Sequence, residues 1–115
     1  MRKRIREKHR QHVGWRVFYR TVAADDAFLS PFYKRDSVTI ALLQNNELEY
    51  ESYFKDMEPI FRAYGGRPHW GKKHYLGAED LRPLYPEWDR FMEIRKEMDP
   101  NGIFLNDYLK EILGT

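Results

Sequence analysis

The sequence predicts an α+β fold in which an antiparallel sheet packs against helices. Two stretches, residues 15–23 and 37–43, are rich in β-branched and aromatic residues and alternate with the period of strands. Two others, residues 51–64 and 86–98, place apolar side chains three and four positions apart, which is typical of a helix with one buried face. With 115 residues, 42% of them hydrophobic, the chain has enough apolar material for one domain core.

The first 20 residues form a strongly basic segment. They contain eight Lys or Arg residues and a single acid, Glu7, whereas the rest of the chain has an excess of acids. Such a segment is typical of nucleic-acid or acidic-lipid binding, but residues 2–12 contain no Trp, Tyr or Phe to stack on bases. We therefore interpret residues 2–12 as a solvated helix, with Ile5 as its only large aliphatic residue, and expect no nucleic-acid partner.

The first predicted strand, residues 15–23, places Arg20 on one face between Phe18 and Val22. A guanidinium in such a half-apolar place is either paired or aimed at an anion or carbonyl of a ligand. The connection that follows, with acids, a Ser-Pro step and three aromatic residues, is expected to be long and structured. The second strand, residues 37–43, is apolar on both faces.

The later part of the chain is predicted to be mostly helical. The helix at 51–64 contains Pro59, which favours a kink there over a later start near Asp56, and Gly65 is placed to end it in the left-handed conformation. The remaining elements are a short helix at 78–84, a helix at 86–98, a turn at 99–102, an extended piece at 103–105, and a last helical turn capped by Asp107 and running through Leu113.

The segment Gly65–His74, with the sequence GGRPHWGKKH, is the densest in reactive side chains. Its glycines relax the backbone and Pro68 stiffens it, so that the segment can present side chains in a fixed, exposed conformation. A metal site at His69 and His74 lacks a third ligand at zinc spacing, and we expect none.

Three further interpretations of this segment stay open from the residues alone. Arg67, Lys72 and Lys73 suit an anion pocket for phosphate or carboxylate. His69 suits a general base, with Lys72 stabilising negative charge on a substrate or an anionic cofactor. The alternative without function is a surface loop with Trp70 in the core, which the spacing alone favours.

Other features narrow the function classes. Arg20 and Asn106 are weaker candidates, since a strand-surface ion pair explains the first and a backbone cap the second. The chain has no cysteine, which excludes disulfides and thiol catalysis, and no glycine-rich phosphate loop follows a strand. It has no apolar run near the ~20 residues of a membrane span, and because no apolar segment follows the basic N-terminus we expect no signal peptide. We expect a cytoplasmic protein, with membrane association as the alternative.

The chain resembles the C-terminal part of the sugar-acid lactone oxidases in three collinear stretches. They are RTVAADDAFLSPFYKRDSVTI at Arg20–Ile40, EPIFRAYGGRPHWGKKH at Glu58–His74 and LYPEWDRFMEIRKEMDPNGIFLNDYL at Leu84–Leu109. This family includes gulonolactone, galactonolactone and arabinonolactone oxidases and alditol oxidase, all flavoproteins of the vanillyl-alcohol oxidase type. The RPHWGK core, with the LYP and DP-G-F-N-YL elements, carries the resemblance most specifically.

The resemblance implies a cap-domain fragment of a two-domain flavoprotein, with residues 1–115 as a single C-terminal cap region and the N-terminal FAD-binding domain absent. Lys72 of the HWGK motif is then expected beside flavin and substrate, where a cation stabilises the anionic reduced ring. Arg20 is expected to face the substrate and orient its hydroxyls. The expected catalytic residues are Lys72, Arg20 and His69, and the expected cofactor-binding residues are Lys72, His69, Trp70 and Asn106.

The implied reaction is oxidation of a CH–OH group of a sugar alcohol or aldono-1,4-lactone by hydride transfer to FAD. FAD would be bound mainly by a domain or subunit outside this chain, which alone should bind it weakly and be inactive. The other expected partner is a small polyol or sugar lactone. The alternatives are an inactive remnant or interaction module and, less favoured, a basic nucleic-acid-binding domain.

Three positions, one on the first predicted strand and two on the second, depart from the family pattern. The family usually has an acid two residues before the substrate-facing arginine, and this chain has Phe18 there. Alditol oxidase has a histidine and a threonine on the following strand, where this chain has Ala41 and Leu43. A polar face of the pocket is therefore expected to be apolar, which disfavours a polyol substrate.

Overall fold

The computed structural model describes all residues from Met1 to Thr115. Its contacts divide the chain into two compact units. The sheet unit comprises Met1–Ala23 and Asp36–Gly66, and the helical unit comprises Ala24–Arg35 and Arg67–Thr115. The assignment of residues 1–115 to a single cap region stays a prediction.

A two-stranded antiparallel sheet lies in the sheet unit. Strand β1 spans Phe18–Val22 and strand β2 spans Ser37–Ala41, both inside the predicted stretches. In their register Phe18 lies opposite Ala41 and Arg20 lies opposite Thr39. Since side chains alternate along a strand, these four residues share one face. The sheet and the helices together confirm the predicted α+β class.

The basic N-terminal segment forms helix α1, Arg2–Lys8, followed by a 3-10 turn at Arg10–His12. The Arg4 guanidinium donates to both oxygens of Asp56, at 2.7 and 2.5 Å, and His9 Nε2 lies 2.7 Å from the same carboxylate. These hydrogen bonds hold the pKa of Asp56 well below its usual range, with Arg4 contributing more than His9. The segment is therefore attached to the helix that carries Asp56.

That helix, α2, spans Glu51–Ala63 and passes through Pro59 without a break. The start near Asp56, the less favoured alternative, is therefore wrong. Gly65 has φ 63° and ends the helix as predicted. The next position, Gly66, has no room for a side chain, because a Cβ there would lie 2.7 Å from the carbonyl oxygen of Phe61.

The helical unit contains the predicted short helix as α3, Ala78–Leu81, with a 3-10 turn at Arg82–Leu84. Helix α4 spans Trp88–Met98 and helix α5 spans Asp107–Leu113. The buried side chains of this unit form one apolar cluster of Leu76, Leu81, Tyr85, Trp88, Ile112 and Leu113.

Two predicted details of this unit are wrong. Ile103–Leu105 is a turn rather than an extended piece, because the Asp99 carboxylate accepts the backbone N–H groups of Ile103 and Phe104 at 2.8 and 3.0 Å. The cap of α5 is Asn106 rather than Asp107, since the Asn106 side chain accepts the N–H of Leu109 at 2.8 Å.

The connection between the strands is structured, as predicted. Asp25 N–H donates to the Phe32 carbonyl at 3.2 Å, and Lys34 N–H donates to the Asp25 carbonyl at 2.9 Å. The Asp25 carboxylate also accepts from the Ser30 hydroxyl at 2.5 Å. No helix of the protein is both long and apolar enough to span a bilayer.

Candidate functional site

Lys72 lies at the end of a tight turn of residues 69–72 in the helical unit. The turn is closed by the Lys72 N–H, which donates to the His69 carbonyl at 3.0 Å. Inside it, Gly71 N–H donates to His69 Nδ1 at 3.0 Å. The Lys72 side chain is exposed and makes no hydrogen bond or ion pair. The backbone is therefore fixed, while the ammonium is left available to a ligand.

Trp70 anchors this turn, which we call the Lys72 turn. Its indole N–H donates to the Leu29 carbonyl at 2.7 Å, and its ring lies 5.0 Å from Tyr85 and 6.2 Å from Trp88 between centroids. The Trp70 carbonyl accepts the Tyr108 hydroxyl at 2.6 Å. The interpretation of Trp70 as a side chain tucked into the core is confirmed, whereas its contact with a cofactor stays a prediction.

Arg67 has a structural role that differs from the predicted anion pocket. Its Nε donates to the Leu84 carbonyl at 2.7 Å, and one terminal nitrogen lies 3.3–3.4 Å from the carbonyls of Ser30, Pro31 and Tyr33. The guanidinium also lies over the Tyr85 ring at 5.2 Å. Burial, and then Arg35, lowers the pKa of Arg67, although an arginine stays charged. Only Lys72 and Lys73 remain as cations of the predicted pocket.

A groove of about 410 Å³ opens beside the Lys72 turn. Its walls come from the segment after the turn and from α5, so cations and an acid share one cavity. Lys73 lies over the Tyr75 ring at 5.3 Å. The lining residues are Lys72, Lys73, His74, Tyr75, Leu76, Gly77, Tyr108, Glu111 and Ile112.

Tyr108 is the site residue that the sequence did not reveal. Its hydroxyl lies 3.0 Å from His74 Nε2 and donates to Trp70, and it lines the groove. Burial, with a smaller contribution from Glu111, raises the pKa of Tyr108, so the hydroxyl keeps its proton and can donate. Its only sequence signal is its place two residues after Asn106 in the DP-G-F-N-YL element.

His69 is exposed, and its ring orientation defines what it can do. Because Nδ1 accepts the Gly71 N–H, the neutral imidazole carries its proton on Nε2. The outer nitrogen of that tautomer is a hydrogen-bond donor rather than a base. The geometry therefore suits donation to a ligand oxygen, and the catalytic role of His69 stays a prediction.

Asn106 and Arg20 have different positions. Asn106 uses its side-chain oxygen to cap α5, which is the structural alternative expected for it, and its cofactor contact stays a prediction. Arg20 lies in the sheet unit, exposed on β1 beside the pair Phe18 and Ala41, and it makes no ion pair. The expectation that Arg20 orients the substrate stays a prediction.

No three His, Asp or Glu side chains are grouped so that they could hold a metal ion. His69 and His74 each use Nδ1 to accept a backbone N–H, from Gly71 and Leu76 respectively. The polar groups that line the groove and the Lys72 turn include lysine ammonium groups, the Tyr108 hydroxyl and the rings of His69 and His74.

Comparison with known proteins gives the family of the chain. The sequence profile of D-arabinono-1,4-lactone oxidase matches residues 1–112. L-gulono-1,4-lactone dehydrogenase of Mycobacterium tuberculosis strain H37Rv is 52% identical over 92 residues, which cover 80% of this chain and 22% of that protein. L-gulonolactone oxidase of Scyliorhinus torazame is 43% identical over 99 residues, covering 83% and 22%. Alditol oxidase of a Streptomyces species is 35% identical over 95 residues, covering 82% and 23%.

The relatives carry the names of sugar-lactone and alditol oxidoreductases. The chain belongs to the D-arabinono-1,4-lactone oxidase family. It spans about a fifth of the length of the relatives that it matches.

Proposed function

We propose that the chain is the substrate-binding cap part of an FAD-dependent oxidoreductase that oxidises a CH–OH group of an aldono-1,4-lactone. The observation that carries this proposal is Lys72. In a member of the lactone oxidase family, an exposed and unpaired ammonium is presented by a turn whose backbone is held by His69 and Tyr108. A cation carried on a fixed backbone beside the ligand can stabilise negative charge that develops there.

The donor set of the helical unit fits the ring end of a flavin. Lys72 supplies a positive charge, His69 supplies an Nε2–H donor, and the groove next to them is walled by Lys73 and Tyr108. Bound FAD would supply the hydride acceptor, and Lys72 would stabilise the negative charge that the flavin ring would gain. The chain has no glycine-rich loop for the pyrophosphate, so its residues fit only the ring, and the rest of FAD would be held by another domain or subunit.

The sheet unit is proposed to contribute the substrate-orienting group. Arg20 presents a planar fork of N–H donors that can bind neighbouring hydroxyl or carbonyl oxygens. Phe18 and Ala41 form the apolar pair next to it. An apolar neighbour suits the compact ring of a lactone better than the hydroxyl-lined chain of a polyol, because unpaired hydroxyls lose hydrogen bonds on desolvation. We therefore place the lactone before the sugar alcohol.

A second candidate, an interaction module without activity, is supported by Phe18. The resemblance leads us to expect an acid here, and the structure has a half-exposed phenylalanine. If that acid is needed for substrate binding, the chain would assemble with a flavin-binding partner without supporting turnover.

A segment exchange tests the proposal. The 92 matched residues of the Mycobacterium tuberculosis L-gulono-1,4-lactone dehydrogenase would be replaced by the corresponding residues of this chain. Oxidation of L-gulono-1,4-lactone and flavin content would then be measured. We expect turnover, and we expect Lys72→Met to lower kcat about 100-fold, as loss of one charge-stabilising donor does elsewhere.

The matched control is Lys96→Met, an exposed lysine on α4 outside the groove, which should leave kcat unchanged. Equal kcat for Lys72→Met and the unsubstituted chimera contradicts the proposal. A chimera that retains flavin but is inactive, and that gains activity with Phe18→Glu, supports the interaction-module alternative instead.

A further inference from the structure

We infer that His74 is a positioning residue: through the Tyr108 hydroxyl it fixes the peptide group between Trp70 and Gly71, and with it the direction in which Lys72 is presented. This inference deepens the proposed function and rests on it for the role of Lys72. Its structural part rests only on the contacts of the helical unit.

Three hydrogen bonds form a continuous chain. The backbone N–H of Leu76 donates to His74 Nδ1 at 3.3 Å, His74 Nε2 lies 3.0 Å from the Tyr108 hydroxyl, and that hydroxyl donates to the Trp70 carbonyl at 2.6 Å. The sequence separation between His74 and Tyr108 is 34 residues, so the contact ties the segment after the Lys72 turn to helix α5.

The direction of each hydrogen bond follows from the two ends of the chain. A backbone N–H can only donate and a carbonyl can only accept. His74 Nδ1 is therefore an acceptor, which leaves the proton of the neutral ring on Nε2. That Nε2–H donates to the Tyr108 oxygen, whose own proton goes to Trp70. A hydroxyl that accepts one bond is a stronger donor in the next, in keeping with the short final distance.

The peptide group that receives this bond is held at both ends. Its carbonyl, from Trp70, accepts from Tyr108, and its N–H, from Gly71, donates to His69 Nδ1 at 3.0 Å. Without these two bonds this peptide group is free to rotate, because glycine tolerates backbone angles that other residues avoid. Such a rotation would redirect the chain one residue before Lys72. The bond from Tyr108 therefore selects one orientation.

The first test is made on the 115-residue chain alone, by NMR. In the unsubstituted chain, we expect the ring nitrogens of His74 to show the Nε2–H tautomer. We expect Tyr108→Phe to shift the amide signals of Gly71 and Lys72 and to raise the hydrogen-exchange rate of Gly71 at least tenfold. Tyr64→Phe, an exposed tyrosine of the sheet unit, is the matched control and should change neither.

Two variants at His74 separate positioning from folding. His74→Leu removes the Nε2–H donor, whereas His74→Gln places a side-chain N–H where it can still donate to Tyr108. We expect His74→Leu to shift the amide signals of Gly71 and Lys72 as Tyr108→Phe does. We expect these signals in His74→Gln to stay close to those of the unsubstituted chain. An Nδ1–H tautomer for His74, or unchanged Gly71 and Lys72 signals in Tyr108→Phe, overturns the inference.

The second test uses the chimeric enzyme described above. We expect Tyr108→Phe and His74→Leu each to lower kcat about tenfold to a hundredfold with little change in KM, since a displaced catalytic group costs this much. The double variant should lose no more than either single one, because both remove the same hydrogen-bond chain. If Lys72→Met lowers kcat in the chimera, unchanged kcat in both Tyr108→Phe and His74→Leu overturns the inference. NMR changes in the chain combined with a chimera in which Lys72→Met has no effect contradict the proposed function and leave the fixed turn established.

Discussion

The two compact units bury apolar surface to different extents. The helical unit has a buried cluster of six apolar residues that includes Tyr85 and Trp88, whereas the buried apolar residues of the sheet unit are Tyr53 and Met57. The sheet unit also exposes large aromatic side chains, with Trp15 62% and Tyr19 66% exposed. Its helices α1 and α2 are connected through a charged group, Asp56. Apolar packing thus dominates one unit, and ion pairs contribute more to the other.

Two buried tyrosines show the same difference. The Tyr85 hydroxyl in the helical unit lies 3.4 Å from the Pro68 carbonyl, and burial raises the pKa of Tyr85 to about 12. The Tyr53 hydroxyl in the sheet unit is buried without a hydrogen-bond partner, at a free-energy cost of about 1–3 kcal/mol. The group that needs fixed geometry, Lys72, is carried by the better packed unit. Because it buries fewer large apolar side chains, we expect the sheet unit to be the less stable of the two.

The largest expected effect is on the helical core. Trp88 is 5% exposed and packs on Trp70 and Tyr85, so Trp88→Ala should lower the free energy of unfolding by about 3–5 kcal/mol. Hydrogen exchange measured by mass spectrometry should show the loss of protection in residues 67–115. Phe104→Ala, in which an 81% exposed side chain is removed, is the control and should change stability by no more than about 0.5 kcal/mol. Equal protection in Trp88→Ala and the control would show that this core does not dominate the unit.

A smaller effect, on the stability of the sheet unit, is expected when the pH is lowered. The pKa of Asp56 is lowered by Arg4 and His9, so the charged form stabilises the folded state above the unfolded pKa of about 3.9. This stabilisation is lost as the pH falls below about 4 toward the folded pKa. We expect the amide signals of α1 to lose dispersion on acidification in this range, and Asp56→Asn to show the loosened α1 already at pH 7.

The control for this prediction is Asp89→Asn in the helical unit, where an exposed carboxylate pairs with Arg82. It should leave α1 unchanged, because exposed ion pairs contribute little. Glu49 and Asp99 also have lowered pKa values and remain in both variants, so some acid sensitivity persists. If α1 in Asp56→Asn is as protected at pH 7 as in the unsubstituted chain, the ion pairs do not hold the sheet unit together.

Features set by interactions between residues close in sequence could be predicted, whereas features set by contacts between distant residues could not. The strands, the helices and the left-handed Gly65 follow from local periodicity and local steric rules, and the structure confirms them. Helix α2 continues through Pro59, so the alternative start near Asp56 is wrong, whereas the favoured kink at Pro59 stays a prediction. The extended piece predicted at 103–105 is wrong, because the Asp99 carboxylate accepts the backbone N–H groups of Ile103 and Phe104, four and five residues later.

Long-range contacts explain the part of the site that was missed. Arg67 had the composition of an anion-binding residue, but it finds backbone carbonyls 17 and 34–37 residues away, which no local pattern indicates. No local pattern distinguishes Tyr108, and its contact with the Trp70 carbonyl depends on the fold. The sequence thus indicated Lys72 as a candidate and Trp70 as a core residue, but it did not indicate that Tyr108 holds the Lys72 turn.

The smallest expected effect is at the cap of α5 and sharpens the comparison between the units. Asn106→Ala should cost about 1 kcal/mol, since it removes the acceptor for Leu109, whereas Asn106→Asp keeps an acceptor and adds a charge that a helix N-terminus favours. Because Tyr108 lies in the first turn of α5, the alanine variant should also raise the hydrogen-exchange rate of Gly71. Thermal unfolding and NMR of the isolated chain measure both effects.

Flavin content of the chimera then separates the two roles of Asn106, because the aspartate variant preserves the cap but places a negative charge where the sequence predicts cofactor contact. Full flavin retention in Asn106→Asp would limit Asn106 to the cap, and loss of flavin at unchanged stability would assign it to the cofactor site as well.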